Sequence, residues 1–189
     1  MSTTTSESLS TLTGTYELDP THTRLGFATK HAMVATVRGS FGDFSGVLTL
    51  DAEDPSRSAA QIDIVVDSVD TGNAQRDGHL RTNDFFESEK YPAITFRSTR
   101  AAVKTDGESY QMWGDLTVKG ITREVQLDLD YQGTATDPYG NLRVGFEGRT
   151  TVNRKDFGLT WNVALETGGI LVGEKVKIEL DVSAVRKTG

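Results

Sequence analysis

Val176-Lys177-Ile178-Glu179-Leu180-Asp181-Val182-Ser183-Ala184 runs apolar, polar, apolar without a break. Successive side chains of a β-strand point to opposite faces, so the stretch presents one greasy face and one wet face. The same two-residue period recurs upstream in Val144, Phe146, Gly148, Thr150 and Val152, and in Val125, Leu127, Leu129 and Tyr131. Earlier sets are Tyr110, Met112, Gly114, Leu116 and Val118, then Ile94, Phe96 and Ser98, then Ile62, Ile64 and Val66. Phe44 to Asp51 reads as another strand, and Leu25, Phe27, Thr29 and His31 share the inner face of the first full one. Turn chemistry separates these runs at Asp54-Pro55-Ser56, Thr105-Asp106-Gly107, Lys119-Gly120 and Asp137-Pro138-Tyr139-Gly140. Many half-wet strands joined by short turns predict an all-β fold, a single antiparallel sheet that closes into a barrel and so removes its exposed edges.

Composition narrows the function. A formal charge of −7 over 189 residues argues against nucleic acid and against anionic membrane surfaces, both of which need a surplus of Lys and Arg. Zero cysteines leave no disulfide framework, thiolate nucleophile or thiolate metal site. No segment is apolar for long enough to span a bilayer as a helix. Met1 to Gly14 is Ser/Thr-rich and has neither a basic n-region nor an apolar core, so a cytoplasmic location is expected.

We expect one domain over residues 14–187, preceded by a disordered leader over 1–13 that has little to bury. One stretch breaks the β period: Thr71 to Phe86 is polar and predicts one or two short helices near one end of the barrel, anchored by Leu80, Phe85 and Phe86. Such an insertion fits a lid over one mouth.

Four blocks then resemble one known family. Asp19-Pro20-Thr21-His22-Thr23-Arg24-Leu25-Gly26-Phe27, with His31 and Gly39-Ser40-Phe41-Gly42-Asp43-Phe44-Ser45-Gly46, looks like the opening signature of the YceI-like polyisoprenoid-binding proteins. Arg76-Asp77-Gly78-His79-Leu80 leading to Asp84-Phe85-Phe86 and Tyr91-Pro92-Ala93-Ile94-Thr95-Phe96 resembles the central block. Gly114 to Thr122 resembles the family's hairpin, and Asn153 to Leu159 its fourth block. The resemblance implies an extended, lipocalin-like antiparallel barrel that takes a polyisoprenoid, such as an isoprenoid quinone or a related amphiphile, and carries or sequesters it. It also implies relatives that are exported, against the cytoplasmic expectation. It brings no agreed reaction, so no catalytic residue is carried over.

The residues themselves leave two readings of the interior open. Phe27, Ile64, Ile94, Phe96, Met112, Leu116 and Phe146, with Leu80 and Phe86 from the insertion, either pack against one another as core or line a channel. Small residues at Gly114, Gly148 and Ser98 would leave room for the second, and His31 would be a polar point inside it. A head group would need one or two partners near a mouth, where Arg76, His79, Arg81 and Asp84 are available; their plainer role is capping and solvated charge. Arg154, Lys155 and Asp156 read as ion pairs that fix a loop, anchored by Phe157 and Trp161. No cofactor is required, and without HExxH or cysteine no metal site is expected. No serine has a G-x-S-x-G setting, and neither a dinucleotide nor a Walker loop is present. The chain therefore reads as a binder of an apolar small molecule. The alternatives are an enzyme using His31 or His79 as acid or base, and a homodimeric interaction module with a packed core.

Overall fold

Each alternating stretch forms a strand, with Val66 falling in a 3-10 turn just past the strand that holds Ile62 and Ile64. A computed structural model describes residues 12–107 and 109–188. The strands are β1 (Gly14–Leu18), β2 (Arg24–His31), β3 (Ala35–Phe41), β4 (Phe44–Leu50), β5 (Ala59–Val65), β6 (Val69–Asp70), β7 (Ala93–Val103), β8 (Ser109–Val118), β9 (Ile121–Thr136), β10 (Leu142–Asn153) and β11 (Val172–Arg186). Among the described residues one α-helix, α1 (Ala74–Leu80), lies between β6 and β7. None of the helices described is long and apolar enough to cross a membrane.

Hydrogen bonding runs β1-β4-β5-β7-β8-β9-β10-β11 and returns to β1 through Tyr16↔Arg186 and Leu18↔Ala184, which closes an eight-stranded antiparallel barrel. Two of the eight wall positions are interrupted. β1 and β2 both lie along β11, while β4 pairs with β1 and β3 with β2, so each pair acts as one long strand bent in the middle. Beyond the bend β3 has only the two-residue β6 on its other side, and the α1 segment follows directly from β6. One end of the barrel thus carries α1 and the β2–β3, β8–β9 and β10–β11 connections. The other end carries the β4–β5, β7–β8 and β9–β10 connections.

The bend between β1 and β2 is held by side chains that replace the ladder. The Thr23 hydroxyl donates to the Ser183 carbonyl (2.9 Å) and accepts from the Ser183 N–H (3.0 Å). Asp19 accepts from the Thr21 N–H and hydroxyl (2.9 and 2.7 Å), bonds His22 Nδ1 (2.8 Å) and takes a bond from Arg143 (2.6 Å), which also donates to Asp137 (2.9 Å). The Thr21 hydroxyl, then His22 and Arg143, hold the Asp19 carboxyl far below the usual carboxylate range. A carboxyl whose folded pKa is depressed stabilises the fold above its unfolded value of about 3.9, and that contribution fades as pH falls toward the folded value. Asp19→Asn is therefore expected to lower the melting temperature at pH 7 and to flatten its fall below about pH 4, in thermal scans across pH.

The β8–β9 corner is a tight hairpin with both central residues, Lys119 (φ 52°) and Gly120 (φ 75°), left-handed, as its two-residue length requires. A register shift in β7 between Ser98 and Arg100 puts the Ser98 hydroxyl where it accepts from the Ala60 N–H (2.8 Å). Ser98 therefore completes a ladder instead of leaving space. At the N-terminal boundary Leu12 and Thr13, the last two positions of the leader expected over 1–13, contact the barrel. Leu12 packs on the core and its carbonyl accepts from the Tyr16 hydroxyl (2.8 Å), while the Thr13 hydroxyl accepts from the Ala52 N–H (3.0 Å). The rest of that leader, 1–11, lies outside the described residues.

Candidate functional site

The interior is hollow at two levels. A cavity of about 180 Å³ lies at the end with the β4–β5 and β7–β8 connections, lined among others by Leu48, Leu50, Met112, Tyr131, Phe146 and Val182. A second, of about 210 Å³, lies at the helix end, and only Thr29, Thr150 and Arg154 among its lining residues have polar side chains. Ile62, Phe96, Leu127 and Leu180 border both. Inward-facing Ile64, Leu116, Leu129, Phe146 and Leu180 pack against the buried clusters yet are only partly buried themselves. A densely packed core buries such residues fully; here they face the hollow.

The layer between the cavities is a waist built on two glycines. A Cβ at Gly114 would stand 2.5 Å from Phe96 Cζ and 2.7 Å from the Arg97 carbonyl oxygen. At Gly148 it would stand 2.9 Å from Leu129 Cδ2 and 3.3 Å from Leu180 Cδ1. Both inward glycines thus give their room to the large neighbours that narrow the tunnel.

At the helix end the second cavity is roofed by Leu80, Phe85 and Phe86, brought over it by α1 and the turns after it. Asn73 caps α1 by accepting from the Arg76 N–H (3.0 Å), and buried Asp77 accepts from the N–H and hydroxyl of Thr71 (2.9 and 2.5 Å). Phe86 meets Phe41 edge-on at 6.0 Å, and Phe41 meets Phe27 at 5.7 Å. His79 bonds Asp84 (2.8 Å) and sits edge-on between Phe85 (5.1 Å) and Trp161 (4.7 Å).

A YceI-like domain model matches residues 16–184. The chain belongs to the YceI-like family. It is 37% identical over 180 residues to a UPF0312 protein of Pectobacterium carotovorum subsp. carotovorum, covering 94% of this chain and 90% of that one. A UPF0312 protein of Staphylococcus epidermidis is 38% identical over 165 residues, covering 87% and 93%. Among solved structures it is similar to Burkholderia cenocepacia BcnA (TM-score 0.75, 24% identity, 88% of this chain and 98% of that chain). A Campylobacter jejuni YceI protein superposes with TM-score 0.70 at 30% identity, covering 84% and 90%. A domain from Saccharophagus degradans, described as polyisoprenoid binding and implicated in plant cell wall breakdown, superposes at TM-score 0.67 with 16% identity, covering 91% and 98%.

Within this YceI-like barrel, Phe27, Ile64, Leu80, Phe86, Ile94 and Leu116 line the second cavity, Met112 and Phe146 the first, and Phe96 both. Three residues expected on the cavity wall are not on it. His31 has the inward parity of its strand, but β2 outruns the barrel: Thr29 is its last lining residue, and His31 is exposed at the turn. Gly114 and Gly148 lie beneath Phe96, Leu129 and Leu180 for the reason given above.

The four head-group candidates are engaged within the roof, and none lines either of the two cavities. Arg76 donates to the Thr71 hydroxyl and carbonyl (2.7 Å each) and Arg81 to the carbonyls of Asp67 and Val69 (3.2 and 3.4 Å), while His79 and Asp84 hold each other. A short helix with turns on both sides leaves many backbone groups to be satisfied, and Arg76 and Arg81 donate to carbonyls of the segment that leads into it. Among the described residues no three His, Cys, Asp or Glu are grouped so as to hold a metal ion.

The sequence predicts a loop-fixing ion pair for Arg154. Lys155 does pair with Glu174 (2.7 Å), but Arg154 is 5% exposed and fixes its loop through carbonyls, donating to those of Leu159, Trp161, Val172 and Gly173. Leu180, which borders both cavities, was visible in the alternation of β11 but carried no mark that set it apart from its neighbours.

Proposed function

We propose that this protein binds a polyisoprenoid or comparable long-chain amphiphilic lipid inside the barrel and carries or sequesters it; an isoprenoid quinone belongs to this class. The observation that carries the reading is the pair of apolar cavities set in line along the barrel, meeting at one waist. Each is larger than the engineered apolar cavity of about 150 Å³ that stays dry and takes a benzene ring, so a linear guest filling both matches the shape better than a compact one. Water gains little in the second cavity, where only three lining side chains are polar. Burying about 20 CH₂-sized groups at roughly 0.8 kcal/mol each would yield about 16 kcal/mol before association and ordering costs, enough without a dedicated head-group pocket. The polyisoprenoid-binding description of the Saccharophagus degradans domain agrees with this class of guest. Holding rather than converting the guest fits the histidines, since neither His31 nor His79 lines either cavity.

Solvent extraction of the purified protein followed by mass spectrometry is expected to release a lipid in roughly stoichiometric amount. Protein recovered empty, and unchanged in melting temperature by added prenyl lipids, would refute the proposal.

A further inference from the structure

The two cavities differ in what their walls offer a polar group. The second ends beneath the apolar roof of Leu80, Phe85 and Phe86. Of its three polar lining side chains, Arg154 donates to four backbone carbonyls and Thr29 directs its hydroxyl at those of Gly173 and Lys175 (3.5 and 3.1 Å), which leaves Thr150. The first cavity has Asp51, Ser58, Tyr110, Gln111 and Tyr131 on its wall. Ser58 accepts from the Asp51 N–H (3.0 Å) and the Asp51 carboxylate from those of Glu53 and Asp54 (3.1 and 2.9 Å), so this pair ties the β4–β5 connection. Gln111 is engaged with Asp128, its register partner on β9. The two phenols differ from these: among the described residues neither hydroxyl has a hydrogen-bond partner.

Register puts both phenols at the mouth. Tyr110 is the second residue of β8, and Tyr131 stands on β9 one position past Asp130, the partner of the first residue of β8, Ser109. Both share the inward parity of Met112 and Leu129, and diagonal neighbours on adjacent strands can reach one small group together. Tyr131 is 36% exposed and its ring lies 5.5 Å from that of Phe146, so it stands at the rim, where the cavity meets solvent. Charge narrows what this rim takes. No Lys or Arg is among the residues lining the first cavity, whereas Asp51 is. The cations on the neighbouring connections are held by acids, Lys104 by Asp128 (3.0 Å) and Arg143 by Asp19 and Asp137 (2.6 and 2.9 Å).

We infer that the guest lies with its polar end at the mouth of the first cavity, where a neutral head group accepts hydrogen bonds from Tyr110 and Tyr131, and with its chain running past Phe96 to end under the roof. The inference rests on the lipid-binding function proposed above and adds the direction in which the lipid lies and the kind of head it carries. Each phenol replaces a hydrogen bond that water would otherwise supply, so the pair selects among heads more than it tightens binding. A carboxylate or phosphate at the same place would give up hydration beside Asp51 with no lining cation to replace it, while an ester or quinone carbonyl gives up little.

Methyl stearate carrying a nitroxide either beside the ester or at the chain end tests the direction. Trp161 lies 5.4 Å from the roof residue Phe85, and Trp113→Phe leaves it the sole tryptophan of the chain. The chain-end nitroxide is expected to quench Trp161 and the ester-side nitroxide to leave it bright; the reverse pattern, or equal quenching, would overturn the inference. Head selection is read from affinities for methyl stearate, stearate and a hydrocarbon of the same length. The ester should bind about tenfold or more tighter than the carboxylate, and Tyr110→Phe/Tyr131→Phe should cut the ratio of ester to hydrocarbon affinity by about tenfold, the equivalent of two modest hydrogen bonds. A ratio unmoved by the double variant, or a carboxylate bound as tightly as the ester, would remove the phenols from the site. A protein that takes up none of these probes, hydrocarbon included, refutes the carrier reading itself, whereas one that binds them in the opposite sense refutes only the orientation.

Discussion

Phe96→Ala is expected to join the two cavities and to shift the barrel's preference toward longer prenyl chains. Phe96 borders both hollows and lies over Gly114, so its ring is the largest obstacle along the tunnel at that level. A guest longer than one cavity must displace it or thread past it, and the energy of doing so is charged against long chains. Without the ring that penalty vanishes. The empty protein should lose stability, by about 3 kcal/mol for a phenylalanine truncation that already faces open space on two sides, which is roughly 6–12 °C in melting temperature. Competition among prenyl lipids of graded length, read by native mass spectrometry, checks the shift. An unchanged length preference would mean that the guest occupies one cavity only, or none.

Arg154→Leu is expected to destabilise the protein strongly, beginning at the β10–β11 connection. Its guanidinium is buried and makes four bonds, Nε to the Gly173 carbonyl (2.8 Å), one terminal nitrogen to those of Leu159 (2.6 Å) and Trp161 (3.0 Å), the other to that of Val172 (3.2 Å). Burial pushes its pKa below the ordinary arginine value and Glu174 offsets this only in part, yet arginine stays charged, and the carbonyl dipoles take the place of a counter-ion. Removing the side chain strands those carbonyls around an apolar residue, a loss on the order of 3–5 kcal/mol. Hydrogen exchange should accelerate over residues 158–173, where the β10–β11 connection meets β11, before it does elsewhere. Arg154→Lys should rescue little, since an ammonium cannot span the same fork of acceptors. Protection in that segment equal to the native protein's would show that Phe157 and Leu159, not Arg154, hold the connection.

These two residues mark where sequence reading stops. Parity with Ile94 marks Phe96 as inward-facing, and charged neighbours mark Arg154 as part of a loop anchor. What each of them does depends on atoms far away in the chain. Gly114 and Gly148 show the same limit from the other side. A glycine on an inward face reads as spare room, but the room belongs to whichever side chain across the sheet reaches it first, and here Phe96, Leu129 and Leu180 reach it. His31 failed for a related reason, because parity continues along a strand after the wall it belonged to has ended.

The order of residues alone determined the strands, their faces, the turns between them, the short helix after Thr71 and the family, since a period of two and the backbone demands of turns are local properties of the chain. The bends that make one strand of β1 with β2 and of β3 with β4, the waist at Phe96 and the carbonyl cage around Arg154 were decided only in three dimensions. A barrel's strands are tilted and staggered, and the layer at which a given side chain meets its neighbours follows from that register, not from its position in sequence.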